Sequence, residues 1–135
     1  YFREYMEATW RAINILDTLM EGYDYEDPAS GSLVYPIILR LRGMYLAISI
    51  LGNMPYNTEQ LKKDLIRKGI KKFVVDEMYR AYQLSRDGIG GGKTSLVIAD
   101  ADKAFNLLLE KYKEVKQCLN ARKDWKKACS PLKNK

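Results

Sequence analysis

The stretch Leu33–Leu51, LVYPIILRLRGMYLAISIL, constrains this chain more than any other. Ser30 and Ser32 precede it as N-cap candidates, and Pro36 falls near a first helical turn, where a missing N–H costs little. Gly52, Asn53 and Pro55 follow it, a common way for a helix to end. As a helix the stretch is ~28 Å long. Val34, Ile37, Ile38, Leu41, Met44, Tyr45, Ile48 and Leu51 recur with the 3.6-residue period of one face. Leu39, Leu46, Ala47 and Ile50 make most of the other face apolar as well, which predicts the buried centre of a helical bundle. The length also suits a membrane span, but Arg40 and Arg42 fall mid-span, where a charge is costly. The expectation is therefore a helix inside protein, with no membrane partner.

The flanking sequence supplies the rest of the bundle. Phe2–Tyr23 reads as a first helix, with Phe2, Met6, Ile13, Leu16 and Met20 inward, Tyr5, Ala12 and Leu19 widening the stripe, and Trp10 near its edge. The acidic, turn-rich YDYEDPASGS segment after it is a loop. Asn57 or Thr58 caps a short helix Glu59–Lys68, and Gly69 stands where a left-handed residue belongs. Ile70–Asp87 is the next helix, with Phe73, Val74, Met78, Ala81 and Leu84 or Ser85 facing in. A glycine loop leads to a long helix from about Ser95 to Leu119, with its buried stripe marked by Leu96, Ala99, Phe105, Leu108, Leu109, Tyr112 and Val115. No stretch alternates with period two long enough to predict a strand. The fold expected is all-α: an antiparallel bundle of four to five helices over 1–120, with a basic, partly disordered tail over 121–135.

Charge and residue types narrow the chemistry. The net charge of +6 is uneven: residues 1–32 carry seven acids and two bases, while 111–135 carry nine bases and two acids. The basic end suits a solvated helix terminus or an acidic partner. The chain has no histidine and only two cysteines, Cys118 and Cys129, so His/Cys zinc sites and every Ser-His or Cys-His nucleophile are excluded. Lysine-rich composition without a disulfide framework predicts a cytoplasmic setting. The chain opens on Tyr1 with no signal-peptide pattern, and a segment cut from a longer protein is the expectation.

Three clusters are candidates for binding. Asp87–Thr94 imitates a phosphate-binding loop, with Gly92-Lys93-Thr94 in place, but the required first glycine is Asp87 and no buried strand precedes it. What remains is an anion site at a helix N-terminus, through Lys93, Thr94 and Ser95. Arg40 and Arg42, in an otherwise apolar helix, each need a carboxylate, a helix end or a ligand. They lie about 200° apart on the helix, so at most one enters any single cleft. An internal salt bridge to Asp17, Asp76 or Glu77 is the plain alternative. On the next long helix Tyr79, Tyr82, Gln83 and Arg86 share a face, which suits stacked bases and held phosphates or a half-buried amphipathic edge. Asp76 and Arg80 read as a surface ion pair, and Asp100 and Asp102 point different ways, unlike a metal pair.

The run Leu33–Gly43, a short helix ending Lys68-Gly69, then Tyr79-Arg80-Ala81-Tyr82, Arg86-Asp87-Gly88 and Ala101–Phe105 come in an order that resembles the helical region after the catalytic domain of small archaeal nucleotidyltransferases. That region is similar in style to HEPN-type bundles. The resemblance covers roughly 33–119 and implies a substrate-binding partner domain, working beside a nucleotidyltransferase catalytic domain in the same longer chain or a separate subunit. The Gly-Ser and paired-aspartate signature of that catalytic domain is absent, so the implied role is non-catalytic and needs no cofactor. HEPN nucleases pair their active arginine with a histidine, which Arg86 lacks here. The reading is a module binding RNA, a nucleotide or a partner through Arg40, Arg42, Tyr79, Tyr82 and Arg86. The alternative is a protein-protein or homodimerisation module without nucleic-acid binding.

Overall fold

The computed structural model describes residues 2–53, 55–88 and 95–121, and among them five helices and no strand. They are α1 (Phe2–Glu21), α2 (Gly31–Leu51), α3 (Thr58–Arg67), α4 (Lys72–Arg86) and α5 (Ile98–Ala121). The fold is an all-α helical bundle. Of the tail expected over 121–135, Ala121 is the last residue of α5 and 122–135 lie outside the described residues.

α2 is the organising element. It packs chiefly on α5 and α4, α1 lies against α2 and α5, and α3 closes one end against α2, α4 and α5. Ile37, Ile38, Leu41 and Met44 are fully enclosed. The Ser30 hydroxyl accepts from the Leu33 N–H and caps the helix start. Because α2 begins at Gly31, Pro36 stands in its second turn, one turn deeper than the sequence suggested, and the Ser32 carbonyl lacks its usual donor four residues on. α1 runs antiparallel to α2, since Tyr5 meets Gly43 and Thr9 meets Arg40.

α2 is not buried all round. Leu39, Leu46 and Ile50 are 37%, 49% and 56% exposed and form an uncovered apolar stripe opposite the core. By length and composition α2 passes as a membrane span, and half of its apolar window is buried inside the bundle. Two inward assignments are also corrected. Phe73 is 69% exposed while Val75 is buried, because α4 turns Val75, Met78, Tyr79 and Tyr82 inward. Leu19 on α1 is exposed.

The caps explain where the shorter helices stop. Asn57 accepts from the Glu59 N–H at the start of α3. At its end Gly69 has φ +100°, Gly69 N–H bonds the Ile66 carbonyl and Ile70 N–H bonds that of Leu65, a Schellman closure that also buries Ile70. The start of α5 is stitched to the loop after α1: Ile98 and Ala99 donate to the carbonyls of Asp27 and Tyr25, and Ala29 donates to Leu96.

Candidate functional site

The α2–α4 seam collects aromatic rings around one arginine. Arg42, on the flank of α2, donates to the Tyr82 hydroxyl and, at 3.4 Å, to that of Tyr56, just before α3. Its guanidinium carbon lies 5.2 Å from the Tyr82 ring centre, within cation–π range. Arg86, one turn further along α4, approaches the same ring at 5.8 Å. Tyr35, two turns before Arg42, stacks on Tyr82 at 5.3 Å, and Tyr79 meets Tyr82 edge-on at 6.3 Å. Lys62 of α3 sits 4.8 Å over the Tyr79 ring. Tyr82 is thus the hub of four groups from α2 and α4, Arg42, Arg86, Tyr35 and Tyr79, with Tyr56 reaching it through Arg42 and Lys62 through Tyr79.

The electrostatics are one-sided. Among the described residues neither Arg40 nor Arg42 has an ion-pair partner; Arg86 pairs only with its exposed neighbour Asp87 at 3.4 Å. The Tyr56 hydrogen bond, followed by the bond and field of Tyr82, raises the Arg42 pKa against the opposing effect of burial. Burial pushes the Tyr79 hydroxyl well above the ordinary tyrosine range, and its oxygen is enclosed with no hydrogen-bond partner among the described residues. With two of its five N–H donors on tyrosines, Arg42 keeps three for another acceptor. On its other side opens an apolar cleft of about 280 Å³ lined by Tyr5, Leu39, Arg42, Gly43, Leu46 and Tyr56.

Four of the five sequence-predicted ligand residues, Arg42, Tyr79, Tyr82 and Arg86, come together here. Arg40 does not. It points to α1, lies 5.6 Å over the Tyr5 ring and donates to Thr9 at 3.4 Å. The proposed salt bridges of these arginines are not formed: Glu77 is bound by Arg80, which also replaces the expected Asp76–Arg80 pair. Tyr56 and Lys62 escaped the sequence reading because they lie off the α2 and α4 periodicities; the only signal was Tyr56 preceding the Asn57 cap.

The expected anion site at the start of α5 is not supported. The helix begins at Ile98, not near Ser95, and two of its first free N–H groups are already taken by the Asp27 and Tyr25 carbonyls. Lys93 and Thr94 lie outside the described residues, and Ser95 is exposed before the helix. Comparison with known proteins adds no relative: no protein-family model, no curated protein and no solved structure matches this chain.

Proposed function

We propose that this bundle is a non-catalytic binding module that holds a phosphate-bearing ligand, RNA or a nucleotide, beside a nucleotidyltransferase catalytic domain carried outside this sequence. The observation that supports it is Arg42: a half-buried guanidinium, unpaired by any described carboxylate, held by two tyrosine hydroxyls and flanked by stackable rings. A guanidinium in that setting suits a phosphate, and the tyrosines offer π-faces to a base. Titration of the chain with a fluorescein-labelled oligouridylate tests this. Arg42→Ala is expected to weaken binding by about tenfold or more and to flatten its salt dependence, with Arg42→Lys in between. Arg80→Ala, on α4 but outside the cluster, leaves it unchanged. Equal affinity of the wild type and Arg42→Ala overturns the reading.

A second reading, a homodimerisation module, is favoured by one observation: the uncovered stripe Leu39, Leu46 and Ile50. Sedimentation of wild type and Leu46→Glu separates the two. A dimer abolished by the substitution, with no RNA affinity in either protein, supports the second.

A further inference from the structure

A second groove lies between the first half of α1 and the last turns of α5. It encloses about 620 Å³, within the range of small-molecule sites. Its floor is Tyr112, buried in α5, and its wall is Trp10, stacked on that ring at 5.3 Å with an interplanar angle of 24°. Phe2, Met6 and Leu119 complete an apolar lining. Trp10 is nonetheless 46% exposed, so the stack satisfies one face of the indole and leaves the rest of it open to the groove.

The rim is cationic from both helices. Arg3, Arg11 and Lys116 line it against a single acid, Glu7, which is engaged by Arg3 at 3.5 Å. Arg11 and Lys116 have no ion-pair partner among the described residues. A neutral apolar guest would leave these two charges unanswered, and a large polyanion would leave the aromatic wall unused. The shape and charge together describe a guest with one flat apolar body and one acidic group.

We infer that the Trp10–Tyr112 groove binds a small hydrophobic anion of the aromatic carboxylate class. The ring lies against Trp10 and the lining side chains, and the carboxylate sits between Arg11 and Lys116. This site is separate from Arg42 and does not depend on the function proposed for it.

The experiment uses the whole chain and displacement of the fluorescent anion anilinonaphthalene sulfonate. Naphthoate is expected to displace it at least about tenfold more effectively than the neutral naphthylmethanol. Replacing Arg11 and Lys116 together by alanine, both surface positions, is expected to remove that preference while leaving the alcohol within roughly twofold. Trp10→Ala lowers affinity for both compounds, and Arg42→Ala changes neither. Equal displacement by acid and alcohol in the wild type, or a preference that survives the double substitution, overturns the inference. Circular dichroism of each variant separates loss of the groove from loss of the fold.

Discussion

The Tyr5 hydroxyl fills the space that a β-carbon on Gly43 would occupy. A methyl group there would overlap that hydroxyl and come within 2.7 Å of the ring carbon that bears it. This contact seats α1 across α2 next to the Arg40–Thr9 bond and the Arg40–Tyr5 stack. Gly43→Ala is expected to destabilise the chain by about 1–3 kcal/mol, the usual cost of overpacking, partly offset by the ~1 kcal/mol that alanine gains over glycine in a helix. In a Tyr5→Ala background the clash is gone, so the same substitution becomes neutral or stabilising. Denaturant melts of the four proteins, read as a double-mutant cycle, check this. Equal cost in both backgrounds would show that Tyr5 is not what Gly43 accommodates.

A second expectation concerns Asp64, buried where α2, α3 and α5 meet. Its carboxylate accepts from the Tyr45 hydroxyl and from Gln60 at 3.1 Å, with Arg67 at 3.5 Å and the buried Lys111 at 3.9 Å. Lys111 also reaches Glu114 at 3.2 Å and lies 5.4 Å over the Tyr45 ring. Removing the shared acceptor leaves a buried hydroxyl and a buried ammonium with too few partners. Asp64→Ala should cost about 3–5 kcal/mol. Asp64→Asn, which keeps an acceptor for Tyr45, should cost less. Thermal melts give the ranking, and an alanine variant as stable as wild type would show that the network is solvated.

The helices were legible because their signals are local. Met6, Ile13, Leu16 and Met20 on α1, Ser30 and Asn57 as caps, and Gly69 as a left-handed stop all act within a few residues. What failed depends on neighbours distant in sequence. Phe73, Val74 and Val75 are consecutive, and only packing of Tyr79 and Tyr82 decides which of them turns inward. The back of α2 reads as core by composition, yet nothing local says that three of its residues are left uncovered. Four of the five proposed ligand residues converge because α4 repeats Tyr79, Tyr82 and Arg86 at helical spacing. Arg40 diverges for the same reason, its angular distance from Arg42. Lys111 is polar in sequence and buried in the fold because Asp64 and Glu114 receive it, a partnership across helices that spacing along α5 shows only in part.

Alkaline pH provides a third test. Burial, reinforced for Tyr45 by its bond to Asp64, raises the hydroxyl pKa values of Tyr45 and Tyr79 far above the ordinary value of 10.0. Both groups bind their proton more tightly folded than unfolded. Their contribution to stability is therefore complete below pH 10 and is lost as pH rises above it, at up to about 1.4 kcal/mol per pH unit for each. Tyrosinate absorbance from these two rings is expected to appear only together with the loss of helical circular dichroism. Their titration with circular dichroism unchanged would contradict the burial.

Tyr79 and Tyr82 should respond with opposite signs to loss of their hydroxyls. The Tyr79 oxygen is enclosed and unbonded among the described residues, so it lost water on folding and gained nothing for it. Tyr79→Phe keeps the ring against Tyr82 and removes that cost, and is expected to stabilise the chain by about 1 kcal/mol. Tyr82→Phe keeps its stack with Tyr35 but takes away an acceptor from the half-buried Arg42, and is expected to destabilise by about 1–2 kcal/mol. Arg42 then retains Tyr56 alone, and more of its donors are free. Urea melts of the two variants at neutral pH decide the matter. If Tyr79→Phe proves as costly as Tyr82→Phe, the Tyr79 hydroxyl holds a water, and the α2–α4 seam is wetter than the enclosed cluster described above.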